Sequence, residues 1–308
     1  MSAGGSNIAI LAAIAANILI AVSKFIAAAF TGSSAMFSEG IHSLIDILNG
    51  LLLLLGIRRS RKKPDELHPF GYGMEAYFWS FVVSILVFSV GGGVAIYEGI
   101  HRLASPSMDM EHSNMLWNYG VLICALIFES TSLAIGLKQF RKTNPAGLRT
   151  SLKKSKDSPT VAVIFEETAA VIGNGIALLG VTLSFFLHNP FYDALASILI
   201  GLLLIFVAYI MATETKNLLI GESVSDADMS LIIATMNSYP EIENFGNIRT
   251  MHLGPTEILI ALEVNFKDDM TSGEVENLTN GIKEILKTKN HAFRYIYIES
   301  SMVEYPKL

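Results

Sequence analysis

Apolar residues fall into six long runs over the first two thirds of the chain, at 8–30, 35–57, 76–100, 117–137, 160–186 and 192–212. A helix needs ~20 mostly apolar residues to cross the hydrocarbon core of a bilayer, and each run supplies them. The first run does not read as a cleaved signal peptide. It lacks a basic leader, exceeds the usual ~7–15-residue apolar core, and is followed at once by another span. Beyond Ala212 the pattern changes. Ser225, Asp226 and Asp228 open an amphipathic stretch to Met236, ended by Tyr239-Pro240. Segments 247–253 and 258–266 read as strands around the turn Gly254-Pro255, the second alternating at Ile258, Ile260, Leu262, Val264 and Phe266. Ser272, Glu274 and Glu276 start a helix to Lys287, and 294–299 reads as a last strand. Helix–strand–strand–helix–strand predicts a small α+β layer. The expected organisation is a membrane all-α bundle of six helices over 1–213 and a soluble α+β domain over 214–308.

Composition agrees. Hydrophobic residues make up 51% and charged ones only 16%, against ~25% charged in an ordinary soluble domain. That disfavours a soluble enzyme and, equally, disorder. The single Cys124 excludes a disulfide framework or a multi-cysteine metal site. Residues 214–308 carry 15 Asp/Glu against 8 Lys/Arg, so the tail is acidic; no basic stripe suggests a nucleic-acid partner. Arg58, Arg59, Arg61, Lys62 and Lys63 leave the second span, and Lys138, Arg141, Lys142, Arg149, Lys153, Lys154 and Lys156 follow the fourth. Excess Lys/Arg stays cytoplasmic, which predicts that both termini are inside. The chain opens directly on a span with no transit segment, which points to a bacterial plasma membrane.

Ionisable residues inside the spans carry the chemistry, because a charge in hydrocarbon is costly and marks function by default. In the second span Glu39, His42 and Asp46 follow i, i+3, i+7 and share one helical face. Asp46 falls near mid-bilayer, about 16 Å from either end of its run. An imidazole and a carboxylate four residues apart can hold one divalent ion from consecutive turns. The fifth span adds Glu166 and Glu167. Such a mixed N/O set suits Zn²⁺, Co²⁺, Ni²⁺, Mn²⁺ or Fe²⁺. The competing reading is a set of buried ion pairs that fixes helix register.

At this point the chain resembles the cation diffusion facilitator family of divalent-metal/proton antiporters. The likeness rests on Phe37-Ser38-Glu39-Gly40-Ile41-His42-Ser43-Leu44-Ile45-Asp46, His68-Pro69-Phe70-Gly71-Tyr72-Gly73, Tyr97-Glu98-Gly99-Ile100-His101-Arg102-Leu103 and Leu219-Ile220-Gly221-Glu222. It implies six spans, a ferredoxin-like cytoplasmic domain, a homodimer, and export or organellar loading of Zn²⁺ or a related ion. The family's transport site takes two residues four apart in span two, here His42 and Asp46. Its usual His-xxx-Asp in span five is replaced: Glu166 takes the first place with Ala170 in the second, or Glu167 with Val171. Counted back from Phe186, Glu166 lies some 30 Å down its helix, low for a partner of Asp46. A loop site needing Asp-xx-His-xxx-His is met only by Asp65 and His68, with Tyr72 in the third place. The competing reading is a turn built by Pro69, Gly71 and Gly73. The family's His-x-Asp/Glu on the last strand is Tyr297-Ile298-Glu299 here, so no strong metal cluster is expected in the soluble domain, and His252 and His291 are expected at its surface.

Glu129, central in span four, reads as a proton carrier or an outer partner of the site. Lys24 in span one would snorkel or neutralise an acid. Glu98, Asp193 and Glu75 lie near span boundaries, where water satisfies them. Asn17 and Asn49 read as helix–helix glue, and Gly91-Gly92-Gly93 as a close helix contact or hinge. No nucleophile–base pair or phosphate-binding glycine loop points to an enzyme, and no prosthetic group is expected. The expected function is proton-coupled export of a divalent metal, zinc first, by alternating access in a homodimer. The alternatives are a metal sensor or scaffold that transports nothing, and a passive metal channel.

Overall fold

The computed structural model describes residues 3–104, 115–143 and 158–301. The basic residues Arg149, Lys153, Lys154 and Lys156, and most of the loop after the third span, lie outside the described residues. The helices are α1 (Ala3–Thr31), α2 (Ser34–Ser60), α3 (Glu75–Leu86), a π-helical segment Val87–Gly92, α4 (Gly93–Ala104), α5 (Met115–Thr143), α6 (Ser158–Phe186) and α7 (Phe191–Ile220). Then follow α8 (Asp226–Met236), β1 (Ile242–Gly254), β2 (Glu257–Phe266), α9 (Ser272–Lys289) and β3 (Phe293–Ser300). The chain divides into two compact units. One comprises the residues up to Gly56 with Phe78–Thr215; the other comprises Ile57–Tyr77 and the chain from Lys216 onward. The segment 57–77 therefore groups with the C-terminal residues, not with the helices it joins in sequence.

Five described helical stretches are long and apolar enough to cross a membrane: Ser34–Ser60, Glu75–Ala104, Asn118–Lys138, Val163–Phe186 and Phe191–Ile220; the apolar Asn17–Thr31 of α1 is shorter. Leu19, Phe30, Ile135, Leu179, Phe206 and Tyr209 are exposed, while Lys24, Glu39, His42, Asn49, Asn174 and Ser197 are buried. An apolar exterior is what lipid selects, and the interior combines these polar groups with an apolar cluster that includes Met36, Ile45, Leu53, Ile200 and Leu204. With little hydrophobic drive between helices in lipid, small residues and polar contacts set the packing. A Cβ on Gly92 would lie 3.1 Å from the carbonyl of Gly201, and one on Gly99 2.7 Å from that of Ala194, so α4 and its π-helical lead-in press backbone to backbone on α7. Gly93 has nothing within 4 Å. The triplet is thus a close contact at its first two positions only. The Ser38 and Ser197 hydroxyls meet at 2.5 Å and Ser197 donates to the Ala95 carbonyl at 2.8 Å, joining α2, α7 and α4.

Asp193 departs from its sequence reading. It is 1% exposed, so water is not its partner. From the first turn of α7 its carboxylate accepts from Ser33 Oγ at 2.6 Å, Ser34 N at 2.6 Å, Ser34 Oγ at 2.9 Å and Ala35 N at 3.4 Å. It caps the N-terminus of α2 from another helix, satisfying free N–H groups and complementing the helix dipole.

The C-terminal unit is organised by ordinary hydrophobic burial. β2 alternates along its whole length. Its inward residues Ile258, Ile260, Leu262, Val264 and Phe266 join Ile232 and Met236 of α8 and Ile282 and Leu286 of α9 in one core. β1 pairs antiparallel with β2, and β3 pairs parallel with β2 after the α9 crossover. Ser225 caps α8, and a capping box of Thr271 and Glu274 starts α9. β1 begins at Ile242, earlier than 247, because its register shifts at three places and interrupts the alternation that would announce it. Within this unit Gly73 abuts the β1–β2 turn, where a Cβ on Gly254 would stand 2.8 Å from the Gly73 Cα. Tyr295 of β3 donates to the Phe70 carbonyl at 3.3 Å.

Asp193→Ala strands the Ser33 and Ser34 donors, a loss of about 3 kcal/mol. The expected outcome is a melting temperature in detergent lower by several degrees, with a smaller drop for Asp193→Asn. Equal melting of wild type and Asp193→Ala would remove the capping role.

Candidate metal centre in the membrane unit

His42 and Asp46 stand one turn apart on α2, His42 Nδ1 lying 3.4 Å from Asp46 Oδ1. The His42 side chain is 3% exposed and that of Asp46 15%. Neither ring nitrogen of His42 nor Asp46 Oδ1 has a hydrogen-bond partner, although all three atoms are buried. A buried polar atom left unpaired costs about 1–3 kcal/mol, so three in one place are costly unless a further group satisfies them. Glu166 of α6 completes the neighbourhood. Its carboxyl is within hydrogen-bonding reach of Asp46 and accepts from Asn49 Nδ2 at 2.8 Å.

Glu166 is not too low to meet Asp46, contrary to the count from Phe186. Gly180 of α6 sits against the Tyr192 carbonyl and the Asp193 Cα, and Asp193 is bonded to the start of α2. The level of the α2 start is therefore Gly180, and α6 overshoots it by six residues. From Gly180 to Glu166 is about 21 Å along the helix, and from Ser34 to Asp46 about 18 Å. The two carboxyls come level.

Glu167 goes elsewhere. Neighbouring helical residues diverge by about 100°, and Glu167 accepts from Ser132 Oγ of α5 at 2.7 Å. Glu39 and Glu129 are both bound to the buried ammonium of Lys24, at 2.9 and 3.2 Å, in a cluster next to His42 and Asp46. Lys24 thus neutralises acids and does not snorkel. Among the described residues, no three His, Cys, Asp or Glu side chains are gathered closely enough to hold an ion as they stand. Of the four ligands predicted from sequence, the structure sets Asp46 beside both His42 and Glu166 and leaves Glu167 on a separate face. Asn49, read as glue, is the bonded neighbour of Glu166. Asn174, bonded to Glu129, was not singled out from sequence. The signal was a lone amide in an apolar helix, seven residues and two turns from Glu167.

The loop pair is occupied by its own surroundings. Asp65 accepts from Tyr72 Oη at 2.7 Å, Lys62 Nζ at 2.9 Å and His68 N at 2.9 Å. His68 Nδ1 is 3.5 Å from Asp65 and its ring lies 4.2 Å from that of Tyr72. These contacts favour the turn over a loop metal site. In the C-terminal unit His291 is exposed, but His252 is 4% exposed, within β1, where its strand position turns it inward. An open cavity of about 320 Å³ beside Arg249, Glu263, Lys283, Tyr297 and Glu299 contains no histidine.

Apolar helices long enough to cross a membrane, with acids, a histidine and a lysine buried among them, make this an integral membrane protein. Residues 10–220 match the family model of the cation efflux transmembrane domain, and the chain belongs to that family, the cation diffusion facilitators, with zinc-transporter-like members among its relatives. It is 34% identical over 266 residues to the mouse protein called proton-coupled zinc antiporter SLC30A9, mitochondrial, covering 85% of this chain and 46% of that one. It is 29% identical to metal tolerance protein C4 of Arabidopsis thaliana, over 86% of this chain and 58% of that protein. To the cation-efflux pump FieF of Serratia proteamaculans it is 25% identical over 90% of this chain and 87% of the pump. The chain spans about half the length of the mouse and plant relatives.

Three donors, the Tyr72 hydroxyl first, then the Lys62 ammonium and the His68 backbone N–H, hold the Asp65 carboxyl well below the usual carboxylate range. A depressed carboxyl keeps its ties as pH falls through that range and loses them only at its own lower midpoint. Tyr72→Phe is therefore expected to move the Asp65 titration upward toward ordinary aspartate, followed by carboxyl carbon NMR. An unmoved midpoint would remove the hydroxyl as the main cause.

Proposed function

We propose that this protein exports a divalent transition-metal ion, Zn²⁺ first, in exchange for protons, with His42, Asp46 and Glu166 as the ligands that hold the ion in transit. The observation that carries this reading is the set of buried, unpartnered donor atoms on His42 and Asp46 beside the Glu166 carboxyl. One imidazole with carboxylates suits Zn²⁺, with Mn²⁺, Fe²⁺, Co²⁺ and Ni²⁺ after it. A small rotation of the Asp46 or Glu166 side chain closes the pairwise arrangement around an ion. Glu167 serves as an auxiliary acid one helical step away, and Glu129 and Glu39 as charges flanking the path. The name of the mouse relative, a proton-coupled zinc antiporter, favours the same cargo and coupling.

Metal ligands must be deprotonated to bind, so loading releases protons and reprotonation releases the ion. An imidazole and carboxylates can each hold either a proton or a metal ion, so the ligand set itself supplies the exchange. The working unit is a homodimer with six spans per chain, both termini cytoplasmic, whose ferredoxin-like C-terminal domains mediate pairing. Alternating access carries the ion outward. The mitochondrial name of the mouse relative favours an organellar membrane, and the ion-binding reading does not depend on which membrane it is.

In proteoliposomes with an imposed pH gradient, His42→Ala, Asp46→Ala and Glu166→Gln are each expected to reduce Zn²⁺ flux at least tenfold. Glu167→Gln is expected to reduce it less. Full flux in His42→Ala and Asp46→Ala would refute the site. Wild-type flux indifferent to the gradient would mean a passive channel, and metal binding with no flux a sensor.

A further inference from the structure

A second cluster of buried charge stands beside the proposed transport site, and no step above places an ion in it. Lys24 of α1 is wholly buried. Its ammonium donates to Glu39 Oε2 of α2 at 2.9 Å and to Glu129 Oε1 of α5 at 3.2 Å. Asn174 of α6 donates its amide to the other oxygen of Glu129. Glu39 Oε1 lies over Gly173, where a Cβ would be only 2.5 Å away, so a glycine is needed there for the carboxylate to reach α6. Glu39 Oε1 and Asn174 Oδ1 are buried and have no hydrogen-bond partner. Four helices thus set two carboxylates around one ammonium and a carboxamide against one of the carboxylates, with acceptor capacity left over.

We propose that Lys24 is a tethered counter-cation that fills a second cation site, formed by Glu39, Glu129 and Asn174, and so limits the membrane unit to one divalent ion per chain. The inference rests on the assignment of His42, Asp46 and Glu166 to the transported ion. Glu39 precedes His42 by one turn on the same face of α2, a rise of about 4.5 Å, so an ion in each place would put two dications close together in a medium that screens poorly. The lysine prevents this. A buried ion pair is a weak source of stability, and breaking it by removing one partner leaves uncompensated charge. Removal of the lysine would leave two carboxylates facing each other, a pair that must take up either protons or a cation. The donors are all oxygen, which suits Mn²⁺ and other hard ions better than Zn²⁺. Lys24 therefore sets both how many ions the chain binds and which ones it rejects.

The test counts metal on the purified full chain in detergent by equilibrium dialysis against Zn²⁺ and Mn²⁺, with melting followed in parallel. Wild type is expected to bind one Zn²⁺. Lys24→Met is expected to gain a second ion, taken equally well as Mn²⁺, and Lys24→Met/Glu39→Gln/Glu129→Gln to lose that gain. In an Asp46→Ala background the Zn²⁺ should disappear while the ion gained on removing Lys24 stays. Where Lys24→Met melts early in metal-free buffer, millimolar Mn²⁺ should raise its melting temperature and leave wild type unmoved. A Lys24→Met protein that keeps one ion and the wild-type preference, or one that Mn²⁺ does not rescue, overturns the proposal. Wild type that binds no Zn²⁺ overturns the transport-site reading instead, since the gain at Lys24 is counted separately.

Discussion

A charge cannot be left alone in hydrocarbon, and the helical unit is arranged around that constraint. Several of the buried polar groups among the described residues are met by a partner on a different helix. Lys24 draws α1, α2 and α5 together through Glu39 and Glu129. Asp193 ties α7 to the start of α2, Asn49 ties α2 to Glu166 of α6, and Ser132 ties α5 to Glu167. In lipid the apolar faces have little preference among neighbours. Polar contacts choose which helices meet, and small residues such as Gly92, Gly99 and Gly201 let them approach.

His42 and Asp46 give the unit its chemistry. Both His42 nitrogens and Asp46 Oδ1 are buried together without a hydrogen-bond partner. The protein meets the cost of an unsatisfied site by over-determining its surroundings. Phe25 lies within about 3 Å of where a Cβ on Gly40 would be, and Ser38 is held by Ser197 one turn before His42. The α2 segment carrying the imidazole has little room to move away from α6.

The C-terminal unit obeys the opposite rule. Water drives its apolar residues inward, so one face of β2 and facing stripes of α8 and α9 suffice to specify it. The two units were legible in the sequence to different degrees for this reason.

Hydropathy alone determined the apolar helices, the break in character after Ala212, the alternation of β2 and the shared face of Glu39, His42 and Asp46, because each is a local periodicity. Local periodicity does not say where one helix lies along another. The level of Glu166 depended on how far α6 overshoots α2, which Asp193 and Gly180 decide across three helices. The burial of His252 and the start of β1 followed from strand register. Likewise, the grouping of 57–77 with the C-terminal unit came from a glycine-to-glycine approach between residues far apart in the chain. Residue types and spacings named the chemistry; only tertiary packing decided which acid of α6 meets Asp46 and which acids face the lysine, because that choice is a matter of distance between helices.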